Sequence, residues 1–460
     1  METKPRESLG SRLGFILLSA GCAIGIGNVW RFPWLAGQYG GAWFVLLYAV
    51  FLVALGIPVM TMEFAMGRAS RKSPVAMYGA LGLPRWRWHG AVALAGNVLL
   101  MMYYTTVSGW MVSYFALAVA GAFSGADAAA AGERFGRTLA SPLWQVPPMA
   151  FVTFAGFGIC AAGLRGGVER IVKWMMLALL VLMLALALHS ATLPGSGAGV
   201  KYFLVPNAGN VAAHGGWLRV AAEAMNQAFF TLSLGVGSMA IFGSYIGRDR
   251  ALAGEAVRVT ALDTFVAIAA GFIVIPACFA FGVEPGAGPG LVFVTLPAVF
   301  GHMAGGRFWG AVFFAFLSFA AFSTVLAVFE NILACVRDLT GWSRRTAAPA
   351  CAAAMFLLSL PCALGWSLLS GFAPFGEGSG VLDLEDFAVS NVILPVGALV
   401  YVLFCTWRFG WGWDAFVAEA NAGRGLRVPG GRAMRLYAGI ALPAAILLLF
   451  ALGLADKFGG

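Results

Sequence analysis

The sequence predicts an all-α integral membrane fold of eleven transmembrane helices, and three observations predict it. The 460 residues are 60% hydrophobic and only 11% charged, with a mean hydropathy of +0.85, a composition no ordinary soluble domain has. Apolar runs recur at a length that crosses a hydrocarbon core of roughly 30 Å. Basic residues are unevenly shared between the loops on the two sides, as the positive-inside rule requires.

The runs place helices over 12–37, 41–67, 87–122, 147–163, 168–190, 218–244, 254–282, 308–338, 346–368, 386–407 and 434–455. With the N-terminus in the cytoplasm, the inner loops collect the basic clusters at Arg68–Arg87, Arg165–Lys173, Arg248–Arg258, Arg337–Arg345 and Arg408–Arg435. The outer side keeps only Arg134, Arg137, Lys201, Arg219, Arg307 and Lys457. An odd helix count then puts the C-terminus outside the cytoplasm. The net charge of +9 therefore reflects topology, and scattered short basic loops do not make a nucleic-acid surface. The basic start (Lys4, Arg6, Arg12) leads into a long apolar segment without a small-residue cleavage site, so no cleavable signal peptide is expected. One transmembrane domain over 1–460 in a bilayer is expected. The seven cysteines lie in or beside apolar segments without metal-ligand spacing, so they read as small packing residues. The four histidines (His89, His189, His214, His302) are scattered and no nucleophile–base pattern is visible, which argues against an enzyme.

Two segments break the rule for spanning helices. "SAGCAIGIGNVWRFP", Ser19 to Pro33, holds Gly21, Gly25 and Gly27 with Asn28, Arg31 and a proline. "FFTLSLGVGSMAIFGSY", Phe229 to Tyr245, holds Gly235 and Gly237 beside the hydroxyls of Thr231, Ser233 and Ser238. Each glycine weakens a helix by about 1 kcal/mol relative to alanine and lets a ligand approach the backbone. Backbone groups freed at mid-membrane depth must meet something polar, and an ion and a zwitterion would serve. The two segments are the first and sixth helices. Counting five helices from each gives repeat one at about 12–190, repeat two at about 218–407 and an extra helix at about 434–455, the pattern of inverted-repeat transporters. Close helix packing could explain one such glycine run; two at matched positions, both flanked by polar side chains, favour deliberate breaks.

At "GCAIGIGNVWRFP", "GIPVMTMEFAMGR" and "FFTLSLGVGS" the chain resembles a bacterial, eleven-helix member of the neurotransmitter:sodium symporter family, from about Arg6 to the end of the eleventh helix. The resemblance implies two inverted five-helix repeats with discontinuous helices 1 and 6, around a central site for one substrate and two Na+ ions. The first ion site would use the Ala23 carbonyl, the Asn28 amide oxygen, the hydroxyl and carbonyl of Thr231, and Asp263. The second would use the carbonyls of Gly21, Ile24 and Ala320 with the hydroxyls of Ser323 and Thr324. Oxygen ligands that replace lost water suit a small hard cation. A carboxylate within a span costs about 2.5–3.5 kcal/mol on insertion scales; Asp263 would offset sodium charge. Chloride-dependent relatives use a bound anion for that, so chloride is not expected here.

The resemblance also implies a substrate pocket of Leu100, Tyr104, Phe230, Thr231, Ser233, Val236, Thr324 and Val328 with the backbone of Ala23 through Gly27. Monoamine carriers of the family place an Asp where Gly25 stands, so the substrate would bring its own carboxylate to the first Na+ and to Tyr104. The apolar far end suits a hydrophobic L-amino acid, aromatic ones included. Arg31 and Asp386 would close the outer mouth, directly or through water. Arg6 and Asp338, with Tyr245 nearby, would close the inner one, and Glu63 would cap the broken sixth helix. The chain departs from the family at Leu9, where Trp is usual, and near Leu177, where many relatives have Pro; the inner plug and the sodium release path are expected to differ there. The alternatives are a proton-coupled carrier of the same fold, against which Ser323 and Thr324 speak, and a non-transporting amino-acid sensor. No residue pattern assigns an oligomeric state.

Overall fold

Lipid offers no partners for backbone N–H and C=O groups, so a long apolar run must bond its backbone internally, and each such run here is helical. The structure, a computed structural model, describes residues 7–283 and 288–458. Among the described residues there is no strand, only two isolated bridges. Among the described residues nine helices are long and apolar enough to cross a membrane, or ten if the bent pair Arg12–Ala23 and Gly27–Gln38 counts as one span. The sixth predicted helix is two pieces, Gly216–Thr231 and Ser238–Gly243, separated by a non-helical stretch. All eleven predicted segments are thus helical, and their edges differ from expectation by a few residues.

The two breaks have different local causes. Arg12–Ala23 starts on the Ser11 side chain, which accepts from the Gly14 N–H at 3.0 Å, an N-cap that satisfies one of the free donors of the first turn. It ends where Ile24 turns extended (φ −72°, ψ 95°), and the chain resumes as a π-helical turn, Gly27–Arg31, bent by 59° from the first half. In the sixth segment the backbone turns left-handed at Ser233 (φ 51°), Gly235 (φ 100°) and Gly237 (φ 72°). Gly235 has a further reason to lack a side chain, since it lies against the backbone of Leu394 and Ala398.

Helix Gly306–Thr340 is the most enclosed span, with 72% of its apolar window buried. It packs against Arg87–Val119 and against Arg12–Ala23, so the unwound part of the first segment faces the middle of both. Helices also form between the expected spans: Ala128–Ala140, Ser196–Leu204, Ala208–Ala213, Leu296–His302 and Trp413–Ala420. Too short or too polar to span, they carry no run of about 20 apolar residues, the signal used to find the spans. Pro is absent near Leu177, and helix Arg170–Thr192 runs through that position unbroken.

Candidate functional site

The two breaks meet at the centre. A cavity of ≈ 30 Å³ is lined there by Ala23, Gly25, Gly27, Leu100, Tyr104, Phe230, Thr231, Ser233 and Thr324, and also by Cys22, Ile26, Asn28, Val389 and Leu394. The glycines are what allow the walls to close in. A Cβ on Gly25 would stand 2.6 Å from the Tyr104 hydroxyl, and one on Gly27 would stand 2.5 Å from the Phe230 ring. The Tyr104 hydroxyl accepts from the buried Ile26 N–H at 3.2 Å, which leaves its own proton free to donate. Val236 and Val328, expected in the pocket, do not line this cavity. The unwound stretch turns Val236 towards helix Arg87–Val119, where its side chain meets Gly96 and its carbonyl accepts from Asn97 at 2.7 Å.

Beside the cavity lies a buried carboxylate. Asp263 is fully buried within helix Leu252–Ala280. Its Oδ1 accepts from the Asn28 amide at 2.8 Å and from the Thr231 hydroxyl at 3.0 Å, and Tyr48 donates to Oδ2 at 3.4 Å. Asn28 also ties its amide oxygen to the Gly25 N–H at 3.0 Å, so it grips the broken strand and the acid together. Three of the four predicted first-site residues thus meet side chain to side chain, and Ala23 lines the adjoining cavity. Tyr48 was missed by sequence reasoning: a tyrosine in the apolar run "AWFVLLYAVF" carries no local mark of its partner.

On the other side of the unwound segment, all five residues expected at the second site come together. The Ser323 hydroxyl donates to the carbonyls of Gly21 (3.1 Å) and Ala320 (2.9 Å). The Thr324 hydroxyl lies 3.1 Å from the Gly21 carbonyl and 3.3 Å from that of Ile24. The donor set is five neutral oxygens without nitrogen or sulfur, which suits a hard monovalent cation. The first set adds one carboxylate. Among the described residues no group of three or more His, Cys, Asp or Glu could hold a metal ion of other chemistry.

Glu63 lies against the broken sixth segment. It is fully buried, and its two oxygens accept from the Gly235 N–H at 2.6 Å and the Met239 N–H at 3.2 Å. An acid buried in a span is tolerable where donors of this kind converge on it.

The two ends of the site hold their charges in different ways. At the outer end, Arg31 and Asp386 form no ion pair. The Arg31 guanidinium sits over the Phe230 ring, 5.2 Å from its centroid. Asp386 accepts from Tyr103 at 3.0 Å and from Ser390 at 2.9 Å. At the basic end, Arg6 lies outside the described residues. Asp338 accepts from the Ser73 N–H at 2.8 Å and lies 4.0 Å from Lys72. Tyr245 donates to Glu330 at 2.7 Å, and Glu330 is paired with Arg344 at 2.6 Å. Arg344 and Arg337 then reach Glu7 at 3.1 and 3.0 Å. Burial alone would raise the Glu7 pKa, but Arg344, the Leu164 N–H and Arg337 together hold it below its ordinary value of 4.5. Leu9, in place of the expected Trp, bonds through its N–H to the Tyr245 carbonyl at 3.2 Å. Sequence reasoning missed Tyr103, Glu7, Glu330 and Arg344, because each partner lies on a different helix.

Comparison with known proteins follows the geometry. The family described as the sodium:neurotransmitter symporter family matches residues 6–128 and 139–428. The chain is 33% identical over 405 residues to the uncharacterised sodium-dependent transporter YhdH of Bacillus subtilis, covering 88% of each chain. It is 31% identical over 429 residues to the uncharacterised sodium-dependent transporter MJ1319 of Methanocaldococcus jannaschii, covering 89% of this chain and 83% of that one. Among solved structures it resembles MhsT in complex with L-phenylalanine, with a TM-score of 0.86 at 35% identity, over 97% of this chain and all of that one.

Proposed function

The chain belongs to the sodium:neurotransmitter symporter family, sodium-dependent transporters rather than enzymes, and from that premise we propose that it is a two-sodium symporter of hydrophobic L-amino acids, aromatic ones included. The observation that carries the reading is the meeting of both helix breaks at one cavity flanked by two oxygen clusters. The first Na+ is held by Ala23, Asn28, Thr231 and Asp263, the second by Gly21, Ile24, Ala320, Ser323 and Thr324. The substrate carboxylate completes the first sodium's shell and accepts a hydrogen bond from the Tyr104 hydroxyl. The N-terminal end of the resumed first helix, Gly27–Gln38, favours that same negative group. The substrate side chain lies against Leu100, Phe230, Val389 and Leu394. A volume of ≈ 30 Å³ holds about one water, so Phe230 must swing from Gly27 for an amino acid to enter. The likeness to a protein solved with L-phenylalanine supports a substrate of that size.

In this reading the eleven helical segments form two inverted five-helix repeats and one extra helix. The chain sits in a bacterial inner membrane with its N-terminus in the cytoplasm and its C-terminus outside. Asp263 supplies the negative charge beside the first Na+, so transport needs no chloride. The ions supply the work. One charge moved across ~100 mV yields about 2.3 kcal/mol, and a tenfold gradient adds about 1.4 kcal/mol. Two sodiums with a neutral zwitterion therefore support accumulation of up to about 10⁵-fold.

The test is uptake of radiolabelled L-phenylalanine, L-tryptophan and L-leucine into proteoliposomes. Accumulation should require external Na+ and persist when gluconate replaces chloride. Uptake that survives replacement of Na+ by choline would sink the coupling. Sodium-dependent binding without accumulation would point to the sensor instead.

A further inference from the structure

The basic end holds a second, larger cavity, of ≈ 570 Å³, between the end of helix Leu394–Thr406, helix Trp413–Ala420 and the start of the helix that begins at Arg432. Its wall carries Trp407, Trp413, Asp414, Arg432, Arg435 and Ile440. Other arginines at this end are paired: Arg68 and Arg248 with Glu419, and Arg337 and Arg344 with Glu7. Arg432 and Arg435 are exposed, and their side chains have no hydrogen bond or ion pair among the described residues. Two free guanidiniums three residues apart on one helix face therefore look into a cavity with one countercharge, Asp414.

The two tryptophans fix the wall. Trp407 donates its indole N–H to the Gly439 carbonyl at 3.0 Å, and Trp413 donates to Gly430 at 3.4 Å. Trp413 is buried and braces the wall, whereas Trp407 is 46% exposed, as suits an indole at the level where hydrocarbon meets head groups. From the arginines the helix runs on through exposed apolar side chains at helical spacing: Leu436 is 51% exposed, Ile440 64%, Leu447 50% and Leu448 57%. A cationic cradle thus continues directly into a greasy stripe.

We propose that this cavity is a binding site for one anionic glycerophospholipid. Its phosphate lies between Arg432 and Arg435, and its acyl chains follow Leu436, Ile440 and Leu447. Guanidiniums match phosphate oxygens with two parallel donors, and basic pockets between spanning helices are suited to anionic head groups. The excess of two positive charges over one negative selects a net anionic lipid. The apolar continuation selects a lipid over a soluble phosphate, which would leave that stripe unused.

The experiment uses the full-length protein purified in detergent, with bound lipid counted by native mass spectrometry and thermal unfolding followed in parallel. Phosphatidylglycerol should bind one per chain and raise the unfolding midpoint, whereas phosphatidylcholine and phosphatidylethanolamine should not. The Arg432→Gln/Arg435→Gln variant should bind phosphatidylglycerol about 30-fold more weakly, since each interfacial arginine contributes about a fivefold preference. Arg345→Gln, an exposed basic residue outside the cavity, should bind as the parent does. Asp414→Asn should bind a few-fold more tightly, which keeps the proposal testable if the double variant does not fold. Equal binding of the zwitterionic lipids, equal stabilisation by glycerol 3-phosphate, or unchanged phosphatidylglycerol affinity in these cavity variants would overturn it.

Discussion

The two ends of the central site solve the same problem with opposite chemistry. At the basic end, the charges are directly joined and sunk into protein. Glu330 is fully buried, Arg344 is 9% exposed, and Tyr245 and Glu7 complete the chain. At the outer end, Arg31 and Asp386 each rest on neutral partners, an aromatic ring in one case and two hydroxyls in the other. A buried pair broken on one side leaves an uncompensated charge, whereas charges already satisfied by neutral groups can meet or part at little cost. In the proposed cycle the end that holds Arg31 and Asp386 would therefore open and close more readily, and the basic end would be released by the filling of the two oxygen clusters.

Substitutions can break this asymmetry. The largest effect is expected from Arg344→Gln, which strands Glu330. It should cost about 3–5 kcal/mol of stability, read as a lower unfolding midpoint in detergent. Next is Gly27→Ala. Its methyl would collide with the Phe230 ring, an overpacking of about 1–3 kcal/mol. Uptake should fall at least tenfold, with the deficit appearing in substrate binding. Asp386→Asn should reduce uptake by about tenfold, equivalent to about 1.4 kcal/mol. It should leave the unfolding midpoint nearly unchanged, because the amide can still accept from Tyr103 and Ser390. A midpoint that drops as far as for Arg344→Gln would erase the proposed difference between the ends.

The smallest effect concerns pH. Glu7 has its pKa held below 4.5 in the folded protein. Its contribution to stability is complete above that ordinary value and is lost as pH falls through the depressed folded value. The unfolding midpoint should therefore decline on acidification below about pH 4.5, and Glu7→Gln should decline less. Identical acid profiles would remove Glu7 from the latch.

The two oxygen clusters sharpen the picture from inside. The Asp263 cluster contains an acid and touches the substrate cavity through Asn28 and Thr231; the Ser323 and Thr324 cluster holds only neutral oxygens and touches it through Thr324. The family resemblance marked both, and the cost of an acid inside a span made Asp263 the more telling of the two. Glu63 was marked by the same resemblance, and the structure gives that acid backbone donors.

The sequence by itself determined where the helices run, because a span needs an uninterrupted apolar length. It also determined where two of them break, because Gly21, Gly25 and Gly27, and later Gly235 and Gly237, weaken the helix where lipid would otherwise enforce it. Motifs that lie close together in the chain carried most of the site: Gly21 to Asn28, Phe230 to Ser233, and Ala320 to Thr324. Only the tertiary structure decided who meets whom across long separations. Tyr48 meets Asp263, Tyr103 takes Asp386 away from Arg31, and Glu330 and Arg344 gather Tyr245 and Glu7. It also decided that Val236 faces Gly96 rather than the cavity. Hydrophobic length and glycine content are local properties that a chain displays residue by residue. Pairing of polar side chains depends on helix rotation and packing, which are set jointly by all the neighbours and leave no mark on any one segment.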